Sequence, residues 1–244
     1  MSACWAGTRW LRLDQKTAML IGVGSSICGA AAVMAAESVV RGRAEQVTVA
    51  VATVVVFGTI AIFIYPALYH LSISYGLVAM SPAAFGVFAG STVHEVAQVI
   101  AVGRAVTEQA ANTAVITKMV RVMMLAPFLI ALSAYLTNHR EIGDAQAVTD
   151  HCEPRKLIVP WFAVGFIVVA GLHSLPILPP TLVVSMVRLD TFMLAMAMAA
   201  LGMTTHFSAI RAAGIKPLLL SAVLFAWLIF GGLAINVGLT KALG

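Results

Sequence analysis

Between Phe88 and Gly103 the chain reads FAGSTVHEVAQVIAVG, and His94, Glu95 and Gln98 interrupt an otherwise apolar run. Four residues apart, His94 and Gln98 share one helix face, while Glu95 sits about 100° away from it. Histidine and glutamate can take up and release protons, so His94, Glu95 and Gln98 form a candidate proton-coupling cluster. An ionised side chain near the middle of a bilayer costs about 2.5–3.5 kcal/mol on insertion scales, so a buried glutamate demands a partner or a wet cavity. The next apolar segment, TAVITKMVRVMMLAPF, supplies cations in Lys118 and Arg121, three apart on one face. Arg121 lies roughly 12 Å along the helix from Thr113, too deep for easy snorkelling, whereas Lys118 is shallow enough to reach headgroups.

HEVAQ also approaches the metalloprotease pattern H-E-x-x-H, in which two histidines one turn apart hold zinc. Its second position is Gln98, a poor zinc ligand, and no spacing recommends His173 or His206 as a replacement. A metalloenzyme is therefore only a remote alternative. The sequence holds no nucleophile elbow, phosphate-binding loop or dinucleotide fingerprint. No enzymatic activity, metal or cofactor is expected.

The elements carrying these residues follow from composition. Of 244 residues, 61% are hydrophobic and 10% charged, against about half and a quarter in soluble domains. So little polar side chain cannot cover a water-facing surface, and lipid must be the main solvent. The +5 net charge is scattered singly between apolar runs, which suits juxtamembrane loops and argues against a nucleic-acid groove. Cys4, Cys28 and Cys152 show neither metal spacing nor a disulfide framework. The N-terminal MSACWAGTRWLRLDQK lacks a signal peptide's apolar core, so no processing is expected there.

A bilayer crossing takes about 20 apolar residues. Segments of about that length predict seven spans: Thr17–Ala36, Val47–Leu71, Pro82–Val102, Thr113–Leu136, Leu157–His173, Thr191–Phe207 and Pro217–Val237. Residues 137–156 read as an extramembrane loop, and the prolines of SLPILPPTLVVSMVRLD forbid a continuous helix after Leu175, which predicts a re-entrant or interfacial connector there. Loops on the Met1 side carry more Lys and Arg than those opposite, which favours a cytoplasmic N-terminus. The fold class is an all-α integral membrane protein, with residues 1–244 forming one transmembrane domain.

An internal repeat singles out two spans. GSSICGAAAVMAA, from Gly24 to Ala36, aligns without gaps onto GSTVHEVAQVIAV, from Gly90 to Val102. Each is followed by Gly-Arg-Ala, then Glu-Gln, then a proline-containing apolar helix, so residues 17–71 and 82–136 are candidate repeats. Glycine and hydroxyl residues in a span can simply permit close packing. Clustered ahead of a helix, they also predict local unwinding. The free N–H groups of a half-helix N-terminus then attract an anion. Paired interrupted helices of this kind mark transporter binding sites. Ser25, Ser26, Ser91 and Thr92 are the expected hydrogen-bond donors. Arg121, with Lys118, is expected to compensate substrate charge.

LRLDQKTAMLIGVGSSICGAAAVMAA, FGVFAGSTVHEVAQVIAVG and DTFMLAMAMAALGMTTHFSAIRAAGIKPLLLS together resemble the sulfate exporter family of bacterial inner-membrane proteins. The resemblance runs from about Leu11 to the C-terminus. It implies a fold of about ten helices, akin to the bile acid, arsenite and riboflavin transporters and cation–proton antiporters, with the site where discontinuous helices cross. The matched positions are Gly24 to Gly29, which adds Gly24, Cys28 and Gly29 to the substrate-binding set, and Ser91 to Gln98, followed by Lys118 and Arg121. Family members carry about a hundred more residues ahead of the SICG motif. The resemblance therefore implies a partial, N-terminally truncated transporter fold. The expected function is secondary transport of a small anion, sulfate or a sulfonate, coupled to H+ or Na+. The expected partners are the lipid bilayer and either a second copy or a partner supplying the missing helices. The alternative is a truncated, non-transporting remnant or accessory membrane subunit.

Overall fold

Helix starts are written into the sequence as capping residues, and the structure uses them. This structure is a computed structural model. It describes residues 2–76, 80–140, 168, 171, 179–204 and 214–243. Every regular element among them is a helix: α1 (Ser2–Arg9), α2 (Gln15–Ser26), α3 (Ala30–Val40), α4 (Ala44–Ser74), α5 (Pro82–Thr92), α6 (Val96–Arg104), α7 (Glu108–Met123), α8 (Leu125–Arg140), α9 (Pro180–Thr204) and α10 (Ile215–Leu243). Asp14, Ser81 and Thr107 cap α2, α5 and α7 by accepting from Thr17 N, Ala84 N and Ala110 N. Gln46 donates to Asp14 Oδ2 at 2.5 Å and accepts from Arg43 N at 2.7 Å, tying the start of α4 to the start of α2.

Two apolar clusters hold the helices together. One gathers Leu20, Ile21, Val33, Val54, Leu125 and Leu220 from α2, α3, α4, α8 and α10. The other joins Tyr65, Phe85, Phe88, Val99, Ala114 and Phe225 from α4, α5, α6, α7 and α10. Between them, α4 packs on α2 and α3, and α7 packs on α5 and α6. The outward faces are apolar too. Phe63, Leu71 and Ile73 of α4, Ile116 and Val120 of α7, and Trp227, Phe230 and Ile235 of α10 are all exposed. Contiguous apolar surface on this scale belongs in lipid.

Among the described residues, three helical stretches are long and apolar enough to cross a membrane: Ala44–Ser74, Glu108–Leu136 and Ile215–Leu239. They enclose three of the expected spans. Within the second, Met124 is a turn between α7 and α8, because Pro127 has no N–H for the preceding turn of the ladder. The stretches Thr17–Ala36 and Pro82–Val102 are each divided into two short helices. The expected connector is corrected in part. Pro180 occupies the first position of α9, where its missing N–H costs nothing, and the helix continues through Thr181–Asp190 and most of Thr191–Phe207. Apart from Val168 and Gly171, the stretch Leu157–His173 lies outside the described residues. So does the expected loop beyond Arg140, while Thr137–Arg140 extends α8.

Candidate functional site

Small residues bring α7 against α5. Gly86 and Gly90 form a four-residue stripe on α5, facing Ala110 and Ala114 of α7. A Cβ on Gly86 would meet Ala110 O at 2.6 Å, and one on Gly90 would collide with Ala114 O. Lys118 is the next member of the α7 stripe. At that level α5 has already ended, since Thr92 is its last residue and Val93–Glu95 are not helical. Close packing thus sets Lys118 against backbone that has left its helix.

The backbone is interrupted a second time at Ile27–Gly29, between α2 and α3. The last carbonyls of a helix have no partner within it. Here cations on α7 supply the partners. Lys118 Nζ donates to Ile27 O at 2.9 Å and to Val93 O at 2.7 Å. Arg121 donates from Nε to Ser26 O at 2.8 Å, from Nη2 to Ser25 O at 2.7 Å and from Nη1 to Val93 O at 3.2 Å. One helix therefore clamps the C-terminal ends of α2 and α5.

Glu95 serves the opposite ends. It is the N-cap of α6, its backbone N–H donating to Gln98 Oε1 at 3.2 Å. Its own Oε1 accepts from Ala30 N, the first residue of α3, at 3.4 Å. Approach this close requires Gly29, whose φ is 69° and where a Cβ would lie 2.7 Å from Glu95 Cγ. Cations sit at helix C-termini and the carboxylate at N-termini, each where the peptide dipoles favour it. Four helix ends meet, two of each polarity, so their dipoles largely cancel. Two side-chain cations then stand against one carboxylate. Glu95 forms no ion pair with Lys118 or Arg121; the pair among the described residues is Arg104–Glu108, at 3.8 Å on the surface.

The expected site residues come together, in an arrangement other than the expected one. Ser25, Ser26, Ser91 and Thr92 end α2 and α5 rather than preceding a half-helix, so carbonyls and not N–H groups are free beside them. Three of their hydroxyls donate back into their own helices: Ser26 to Gly22 O at 2.6 Å, Ser91 to Phe88 O at 3.0 Å and Thr92 to Phe88 O at 2.5 Å. Such back-bonding is the usual local option for a hydroxyl in a helix. Lys118 does not snorkel, because it is fully buried. Gly24 is a packing residue against Val33 and Val54. Cys28 is a buried free thiol in the Ile27–Gly29 interruption. Buried with its ring 6.2 Å from Phe225, His94 leaves Nδ1 without a protein partner among the described residues. Gln98 is buried against Gly58 of α4. No group of His, Cys, Asp and Glu among the described residues could hold a metal.

Beside the clamp lies a cavity of about 350 Å³, lined by Ser25, Ser26, Ser91 and Arg121 and by further residues of α1, α2, α8 and α10. Ser25 Oγ is the hydroxyl of this group that makes no protein hydrogen bond among the described residues. Sequence reasoning missed the contribution of α10. Asn236 donates to Ser91 Oγ at 3.4 Å, and a lone asparagine in so apolar a segment was the available signal.

Three long apolar helices among the described residues, lipid-type outer faces and a largely buried charged cluster define the chain as an all-α integral membrane protein. It belongs to the family described as conserved hypothetical protein 698, whose model matches residues 1–221. It is 63% identical over 230 residues to a UPF0324 membrane protein of Pseudomonas aeruginosa, covering 94% of this chain and 63% of that protein. The UPF0324 inner membrane protein YeiH of Escherichia coli K12 is 57% identical over 234 residues, which cover 96% of this chain and 64% of that protein. The chain thus spans a little under two thirds of the length of these relatives. Both the family and the apolar helices mark it as a bacterial inner-membrane protein. No solved structure matches it.

Proposed function

We propose that the chain forms the core of a secondary transporter for a small anion, sulfate or a sulfonate. In this reading α2–α3 and α5–α6 are the halves of two discontinuous crossings, related by the repeat of residues 17–71 and 82–136, in a bundle of about seven spans. The observation that carries it is Arg121, held by the carbonyl ends of α2 and α5 while facing a cavity with Ser25 and Ser91. A cation fixed at crossing interrupted helices suits an anion that must bind and leave. Glu95, at the N-terminal ends of α3 and α6, is the carrier of the coupling H+ or Na+. Lys118 holds the crossing together rather than touching substrate.

The test is counterflow of labelled sulfate and labelled ethanesulfonate into proteoliposomes, with an imposed H+ or Na+ gradient. Uptake by the wild-type protein should fall at least tenfold in Arg121→Gln. Glu95→Gln should lose the dependence on the gradient. Wild-type protein that moves neither anion above empty liposomes would refute the reading.

A further inference from the structure

The walls of the cavity point to more than an inorganic ion. Besides Ser25, Ser26, Ser91 and Arg121, its lining includes Met19, Phe128, Leu132, Leu224, Trp227 and Leu228. Its volume of about 350 Å³ falls in the range of about 300–1,000 Å³ typical of organic-ligand pockets, which are mostly apolar with a few convergent polar groups. A tetrahedral oxyanion would occupy only the end near Arg121. Its remaining neighbours would be aromatic and leucine side chains that offer it no hydrogen bond.

The donors at the polar end are few. Arg121 has five N–H groups, and three are taken by Ser25 O, Ser26 O and Val93 O. Two remain without an acceptor among the described residues, together with the hydroxyl of Ser25. That set matches one anionic head group.

We propose that the substrate is an organic monoanion, with its sulfonate or carboxylate head on Arg121 and Ser25 and its apolar body against Phe128, Leu224, Trp227 and Leu228. This rests on the reading of the cavity as the site of an anion transporter. It narrows that reading from small anions in general to amphipathic ones.

Calorimetric titration of the purified protein in nanodiscs tests it. The probes are sodium sulfate, the ethane-, butane- and hexanesulfonates, and butanoate and hexanoate. These chains are short enough for partition into the lipid to be small, and empty nanodiscs provide the correction. Affinity should rise about fourfold per buried methylene, hence up to about two hundredfold from ethane- to hexanesulfonate, with sulfate weakest. Leu228→Asn should flatten that series. Trp227→Ala, at an exposed residue of the lining, should flatten it too should the leucine variant fail to fold. A sulfonate series that exceeds the carboxylates at equal length assigns the head group, and the reverse order assigns a carboxylate. Sulfate binding as tightly as hexanesulfonate, or an equally steep series in both variants, overturns the inference while leaving an anion transporter standing. Absence of binding by every probe removes both.

Discussion

Replacing Lys118 by methionine isolates what the clamp is worth. Methionine has a similar length and no charge, so the loss is the two hydrogen bonds from Nζ to Ile27 O and Val93 O. Hydrogen bonds to charged groups contribute about 1.5–3 kcal/mol each. Val93 O keeps its bond from Arg121 Nη1, so only Ile27 O is orphaned. Removing a buried ammonium also relieves part of its desolvation cost. The balance is a destabilisation of about 2–3 kcal/mol. At about 2–4 °C per kcal/mol for a chain of this size, the unfolding midpoint should fall by about 4–12 °C. Size-exclusion chromatography of detergent-solubilised protein after heating reads that shift. The folded fraction of the variant should still bind an anion as the wild type does, since Lys118 does not line the cavity. An unchanged midpoint together with lost anion binding would refute the argument, because it would make Lys118 a substrate ligand rather than a tie between helix ends.

Other expectations follow from the same geometry. Gly90→Leu should destabilise the α5–α7 contact by several kcal/mol and reduce the yield of monodisperse protein, because even a Cβ there collides with Ala114 O. Gly29→Ala should lower the midpoint by several degrees, since φ is 69° and the added methyl meets Glu95; an unaltered midpoint would show that the turn relaxes freely. Glu95→Gln should leave the midpoint within a few degrees of wild type, because a glutamine oxygen can still accept from Ala30 N, while Glu95→Leu should lower it further. After washing with high salt and alkali the protein should stay with the membranes, as three long apolar helices cannot be stripped electrostatically; recovery in the supernatant would contradict the fold.

Composition alone determined the solvent. With so few charged residues the chain can fold only by presenting apolar helices to lipid, and local signals such as Asp14, Ser81 and Thr107 mark where helices begin. The charged residues that gather at the crossing, Glu95, Lys118 and Arg121, were also legible, because charge inside an apolar segment must find a partner. Their partners were not. Glycine and hydroxyl runs look alike whether they start a helix or end one. Only the tertiary structure decided that Ser25–Ser26 and Ser91–Thr92 end theirs. That set carbonyls where an N–H cradle was expected and gave Lys118 two of them as partners. The bonds responsible join residues 91 and 96 positions apart, from Lys118 to Ile27 and from Arg121 to Ser25. No local pattern encodes a pairing at such a distance. It depends on where the small-residue stripe of α7 sets its cations against backbone that two other helices have left unpaired.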